Sequence, residues 1–362
     1  MLTKTDITRN LDRMISRSYT AKDLIRSCTG GSTGTQLHFY LTKESIDWKN
    51  ACAWRHNRWA GWDLGMPVAA LWGNPKEAAT LKARIRRTVL DRYIFLDTMN
   101  MTSSTMADFA QKIKKLGDYV LYGHSHSIYL FASFLKKHGL SVPSPRGIVS
   151  TSMMLMRNER KVIEEGFQTK VTDRYGCEEV SLIGCECEVH DGMHLNIDHL
   201  VIEFVKADGA EAGFGEQGKI VVTDLTNFGM PFIRYEVGDV GVPSDRICPC
   251  RRGLPMMDKV VGRTADFLVR KDGSLAAGVS LIERFLTKIP GIHQMQIIQN
   301  DREKLLINIV KRSNFSNDTT MKSLGEEFEK AFPGMEMVVD FAEKIPQERS
   351  GKYRFAICNI RN

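Results

Sequence analysis

Apolar residues recur every three to four positions in four stretches of the first half of the chain. Over about 76–93, Ala78, Leu81, Ile85, Val89 and Leu90 can share one face, the spacing of an amphipathic helix. The same period returns over 105–116 and 127–138. It returns again over 157–166, with Arg157, Arg160, Lys161, Glu164 and Glu165 turned outward. Short runs rich in β-branched residues read as strands at 119–121, 148–150, 200–205 and 219–223. Helices alternating with short strands predict an α/β sheet. From about 195 to 262 the strands crowd together between Gly-rich turns such as Gly213-Phe214-Gly215-Glu216, which predicts a β-rich subdomain. A boundary falls near 262–266. Beyond it a compact α+β unit is expected: strand 267–270, turn Lys271-Asp272-Gly273, helix 279–288, strands 293–298 and 304–310, and helix 317–331. The pattern thus predicts a large α/β domain over 1–262 and a small α+β domain over 263–362.

The 362 residues are 43% hydrophobic and 26% charged, enough for a sizeable core and incompatible with wholesale disorder. No apolar run approaches the roughly 18–20 residues of a membrane helix. The polar start, Met1-Leu2-Thr3-Lys4-Thr5-Asp6, lacks the apolar stretch of a secretory signal, so a cytoplasmic protein with no membrane partner is expected. The net charge of +7 resides in residues 1–100, which hold 16 Lys+Arg against 9 Asp+Glu. No zipper, helix-turn-helix or zinc-finger pattern accompanies it, so it reads as a solvated helix face over 82–87 rather than a nucleic-acid surface. Eight cysteines are too few for a disulfide scaffold. Five fall in two clusters, Cys177, Cys185 and Cys187, then Cys248 and Cys250, a grouping that suits metal binding or burial as reduced thiols.

Five short motifs carry candidate chemistry. Cys28-Thr29-Gly30-Gly31-Ser32-Thr33-Gly34-Thr35 offers backbone N–H groups and hydroxyls that can cradle phosphate, without the Lys-Ser/Thr pair of a Walker A loop. Asp173-Arg174-Tyr175-Gly176-Cys177-Glu178-Glu179 places a carboxylate past a glycine turn, where magnesium and phosphates could meet it. Arg234-Tyr235-Glu236-Val237-Gly238-Asp239 ends in an Asp suited to ribose hydroxyls. Gly262-Arg263-Thr264-Ala265-Asp266 follows. Ile345-Pro346-Gln347-Glu348-Arg349-Ser350-Gly351-Lys352 presents a lysine as a point charge for phosphate. Singly, each is equally well a surface loop, a turn or a basic tail.

In this order, from about residue 24 to 360, the five motifs resemble those of the adenylate-forming ligase superfamily. The resemblance is specifically to the phenylacetate–CoA ligase-like branch, which includes capsule-associated members. The family's SSGTTGKP loop is matched by 29–36 and its YGxxE by Tyr175, Gly176 and Glu179. RYxxGD is matched by Arg234, Tyr235, Gly238 and Asp239, GRxDD by Gly262, Arg263 and Asp266, and IPxxxSGK by Ile345, Pro346, Ser350, Gly351 and Lys352. The resemblance implies an AMP-forming ligase: a carboxylate attacks the α-phosphate of ATP to give an acyl-adenylate, and an acceptor such as coenzyme A displaces AMP. It implies Lys352, Glu179 and Arg263 as catalytic residues, with Glu179 on Mg²⁺. It also implies Thr29, Gly30, Gly31, Ser32, Thr33, Gly34, Tyr175, Gly176 and Asp239 around ATP, and a C-terminal domain that rotates between steps. A structural zinc on Cys187, His190, Cys248 and Cys250 is implied too, with His194 as a rival ligand. The partner is then a small-molecule carboxylic acid, with a homodimer left open.

Several departures accompany the likeness. The chain begins 28 residues before Thr29, which implies an N-terminally shortened member. Thr35-Gln36 stands where relatives have Lys-Pro, Ala265 where an Asp is usual, and Thr151-Ser152-Met153-Met154 in the adenine-side segment. They motivate an alternative, a catalytically degenerate nucleotide- or partner-binding relative. Tyr122-Gly123-His124-Ser125-His126 falls where relatives place a wall of the carboxylate pocket, although core or capping histidines are expected there. All five tryptophans lie between Trp48 and Trp72, where core packing is the expectation.

Overall fold

The computed structural model describes residues 1–20, 22–29, 37–72, 92–263, 267–273, 275–277, 281–282, 285–286, 288–346 and 353–360, with the backbone alone at 99, 263, 267, 275 and 277. One eleven-stranded sheet dominates. From one edge its order is Leu200–Val205, Gly218–Asp224, Tyr235–Ser244, Met256–Arg263, Met193–Leu195, Ser181–Cys185, Val171–Cys177, Gly147–Thr151, Val120–His124, Val68–Trp72 and Tyr93–Asp97. The last five pair in parallel and the first seven antiparallel, Val171–Cys177 belonging to both halves. The β-rich segment is therefore not a separate sheet but the continuation of the parallel one. Sequence density of strands reveals their number, not their partners.

Parallel strands are covered on both faces and read as unbroken apolar runs. Gly147–Thr151 is buried at every position. Helices Ser125–Lys137 and Arg157–Phe167 cover one face, with Phe109, Ile128, Phe131 and Ile163 in the shared core. Ala60, Val120 and Val149 form a smaller cluster with Trp62 and Tyr122. A Cβ on Gly147 would lie 1.6 Å from the Ala60 carbonyl oxygen, so only glycine lets the chain after helix Lys43–Trp59 cross this strand.

A four-stranded sheet follows, ordered Glu336–Phe341, Lys304–Lys311, Ile292–Gln299 and Ala356–Cys358. Helix Asn317–Ala331 packs on it through Leu324 and Phe328. Met156, from the larger half, is buried in the same core. The two parts also meet at His126, whose Nε2 lies 2.8 Å from Gln294 Nε2 and whose ring packs on Tyr353 and Phe355. His126 Nδ1 meets Glu159, so it is a core histidine with its own carboxylate.

Helices expected at 105–116, 127–138, 157–166 and 317–331 occur as Ser103–Ile113, Ser125–Lys137, Arg157–Phe167 and Asn317–Ala331. The expected helix 76–93 lies outside the described residues except for Arg92, which is not helical, and Tyr93, which opens a strand. Helix Lys43–Trp59 gives no apolar signal, because its buried positions Ser45, Lys49, Cys52 and His56 have helical spacing but are mostly polar. Trp48 and Trp54 on its outer side are exposed, against the expectation of core packing. No helix among the described residues is long and apolar enough to cross a membrane.

Candidate active site

The sheet brings three of the five motifs together where it turns from parallel to antiparallel. Tyr175, in Val171–Cys177, donates from its hydroxyl to Asp239 Oδ2 at 2.8 Å, although 64 residues separate them. Asp239 stands directly opposite Arg263 in the ladder between Tyr235–Ser244 and Met256–Arg263. A Cβ on Gly176 would lie 2.3 Å from the Ser181 carbonyl oxygen, so glycine permits the tight return into Ser181–Cys185. Glu179 is buried within that turn. Its Oε1 accepts from the Tyr235 hydroxyl at 2.7 Å and lies 3.7 Å from Lys4 Nζ, and its carbonyl accepts from the buried Lys49. Arg234 instead pairs with Glu203 at the surface.

Thr29 closes a hairpin of Ile25–Cys28 and His38–Leu41: its N–H donates to the Leu37 carbonyl and its hydroxyl accepts from the Leu37 N–H at 3.1 Å. Gly30, Gly31, Ser32, Thr33, Gly34, Ser350, Gly351, Lys352 and the Arg263 side chain lie outside the described residues.

A second group occupies the carboxyl ends of the parallel strands, where open α/β sheets bind ligands. Trp72 and His124 end their strands, and His124, Thr151 and Arg174 form one row across the sheet. Trp72 stacks on Tyr122 at 5.4 Å and approaches His124 at 4.4 Å. Arg174 lies over the Tyr122 ring. Burial, with Arg174 and Arg55 beside it, pulls His56 down to about 3, so it is neutral at pH 7. The sequence places Tyr122 and His124 at a pocket wall by resemblance, but the grouping with Trp72, Arg174 and His56 has no spacing signal, because it is drawn from separate strands and a helix.

On the opposite face, Asp173 accepts from the Ser150 hydroxyl at 2.6 Å. Burial, reinforced by the Glu186 charge, pushes its carboxyl up to about 7. Between about pH 4, where it titrates unfolded, and about pH 7, the folded chain holds this proton and the unfolded chain does not. Asp173 therefore costs stability as pH rises through that window. Asp173→Asn keeps the acceptor for Ser150 and removes the cost. The variant is expected to melt about 3 °C above wild type at pH 8 and level with it near pH 4, by scanning calorimetry. A variant less stable at pH 8 would contradict this.

Near the middle of the sheet, the ligand atoms of Cys187, His194, Cys248 and Cys250 all lie within 4.8 Å of one another. Cys187 Sγ is 3.6 Å from Cys248 Sγ, and Cys250 Sγ is 3.2 Å from His194 Nε2. A zinc tetrahedron with bonds of about 2.0–2.3 Å has edges of roughly 3.5–3.8 Å, so the set fits this metal. The fourth member is His194, not His190. Strand pairing of His194 with Met256 carries it to the cysteines, whereas the turn after Cys187 leaves His190 Nδ1 3.5 Å from Glu186.

Among known proteins, the family model described as the CapK C-terminal domain matches residues 268–359. Protein CapK of Staphylococcus aureus is 23% identical over 369 residues, covering 99% of this chain and 79% of that protein. The phenylacetate-coenzyme A ligase of Thermus thermophilus is 37% identical over 114 residues, 30% of this chain and 26% of that protein. In structure, 2-hydroxyisobutyryl-CoA ligase in the postadenylation state, in complex with R3-HIB-AMP, superposes with a TM-score of 0.76 at 18% identity, covering 99% of this chain and 79% of the ligase. Residues 268–359 thus match the CapK C-terminal domain, and the whole chain has the fold of 2-hydroxyisobutyryl-CoA ligase and is similar in sequence to Protein CapK and, in part, to phenylacetate-coenzyme A ligase.

Proposed function

We propose that the protein activates a carboxylic acid with ATP, forming an acyl-adenylate and pyrophosphate, and then passes the acyl group to the thiol of coenzyme A with release of AMP. The observation that supports this best is the meeting of Tyr175, Asp239 and Arg263 from three distant motifs at one seam of the sheet. In this reading Asp239 accepts from the ribose hydroxyls and Tyr175, tied to it, lies beside the adenine. In the same reading Thr29, Gly30, Gly31, Ser32, Thr33, Gly34, Arg263 and Lys352 serve the phosphates, where fixed donors and charges stabilise the developing negative charge. Magnesium, when bound, neutralises phosphate charge, and Glu179 is the carboxylate that would hold it. Residues 263–362 act as the lid. Cys187, His194, Cys248 and Cys250 hold a structural zinc away from the chemistry.

The test is Mg²⁺-dependent ATP–pyrophosphate exchange with a panel of aryl, fatty, amino and sugar acids. Exchange that requires one acid is the expected result. Asp239→Ala removes a charged acceptor and is expected to raise the KM for ATP about 10–100-fold, with the KM for the acid little changed. The Lys4 ammonium beside Glu179 favours a second reading, a binding protein that holds ATP without turning it over. That reading predicts ATP binding by calorimetry and no exchange with any acid.

A further inference from the structure

Arg174 carries a charge that the fold does not neutralise. It is 8% exposed, and its terminal nitrogens donate to neutral groups: Nη1 to Asn57 Oδ1 at 2.9 Å and Nη2 to the Tyr122 hydroxyl at 3.0 Å. Its buried Nε has no acceptor, and among the described residues no carboxylate pairs with it. Other enclosed arginines of this chain differ. Arg160 meets Glu186 at 2.6 Å and Arg55 meets Asp198 at 2.6 Å. Burying a guanidinium without a counter-ion is costly, so a fold that keeps one holds it for a charge that arrives later.

Its position says where that charge comes from. Arg174 is the last residue of its strand to pair in parallel, in the row with Thr151 and His124 at the carboxyl ends of the strands. The next residue, Tyr175, is tied to Asp239 on the nucleotide side. The surroundings are aromatic and neutral. Tyr122 lies under the guanidinium, Trp72 stacks on Tyr122, and His56 carries no charge at pH 7. Trp62, which packs on the same small cluster as Tyr122, has a second buried N–H without an acceptor. An aromatic wall with one unpaired cation and orphaned donors suits a small organic anion better than a phosphate chain.

We infer that Arg174 binds a second carboxylate of the acid substrate, so that the acid activated here is a short dicarboxylic acid. This rests on the carboxylate-ligase reading. The reacting carboxylate loses its charge on adenylation, and an arginine bound to it would hold the ground state more tightly than the product of the step. A distal carboxylate keeps its charge throughout and can remain on Arg174 from binding to release.

The experiment uses the full chain, with Arg174→Met and Arg174→Lys. Succinate and glutarate are compared with butyrate, benzoate and phenylacetate, in ATP–pyrophosphate exchange and in titration calorimetry with AMP present. The expected result is exchange with a diacid that falls about 100-fold in kcat/KM in the Met variant and about 10-fold in the Lys variant. The ligand-free Met variant should melt at or above the wild-type temperature, which a purely structural arginine would not allow. Exchange with a monoacid, untouched by Arg174→Met, would overturn the assignment and leave the ligase reading standing. A changed KM for ATP alone, or no binding of either diacid, would overturn it as well. Diacid binding that depends on Arg174 without exchange would uphold Arg174 as the diacid-binding residue but sink the ligase reading, and with it the claim that the diacid is activated.

Discussion

Lys352→Ala is expected to lower ATP–pyrophosphate exchange by about 10²–10³-fold, the usual cost of removing one preorganised charge from a phosphoryl site, with ATP binding largely retained. The described residues on either side of it both reach the larger half of the chain. Ile345 is buried and its N–H donates to Gln294 Oε1, while Gln294 Nε2 reaches His126 of the larger half. On the other side of the segment, Tyr353 packs on the same histidine ring at 4.5 Å. Residues 345 and 353 are thus both fixed against helix Ser125–Lys137, whose first residue follows the carboxyl end of strand Val120–His124. The melting temperature should stay within about 1 °C of wild type, because no described core contact is lost. A variant with unchanged exchange would remove Lys352 from the chemistry and with it the main reason for reading the 345–352 motif as catalytic. Loss of exchange together with a large fall in melting temperature would instead mark a structural lysine.

What the sequence made legible follows from which interactions are local. Helices Ser103–Ile113, Ser125–Lys137 and Asn317–Ala331 each present an apolar stripe, and their periods are visible without a partner. Helix Lys43–Trp59 buries Lys49, Cys52 and His56 on polar partners brought from 130 to 147 residues away, Glu179, His199 and Asn196. Nothing within its own span announces that face. The site shows the same division. Tyr175, Glu179 and Asp239 stand in motifs with fixed spacing, so their candidacy could be read directly. Arg174 lies inside one of those motifs as well, but its importance depends on the missing counter-ion, and an absence of partners has no sequence signature. The β-rich segment after 195 was recognised as strands, yet its union with the parallel strands passes through Val171–Cys177 and a single ladder that the pattern does not specify.

The cysteine cluster gives the largest expected effect on stability. Wild-type protein is expected to carry about one zinc per chain by mass spectrometry. Cys248→Ser with Cys250→Ser should carry none and melt about 10 °C lower, because metal affinity at such a site is folding free energy. The ligands come from the turn at Cys187, strand Met193–Leu195 and the turn at Cys248 to Cys250, so one ion would bind segments up to 63 residues apart. Without metal the set has little reason to converge. Burial pushes the Cys187 thiol up to about 12 and lowers His194, while at Cys250 burial is outweighed by hydrogen bonds from Arg252 that pull the thiol down. A divalent ion inverts the Cys187 shift, since thiolates and a neutral histidine are the forms it binds. His190→Ala is the discriminating control. With His190 turned to Glu186 it should retain full zinc, whereas His194→Ala should lose it. Protein that holds no zinc, and whose double serine variant melts like wild type, would reduce the cluster to buried thiols packed with Trp59 and Met256.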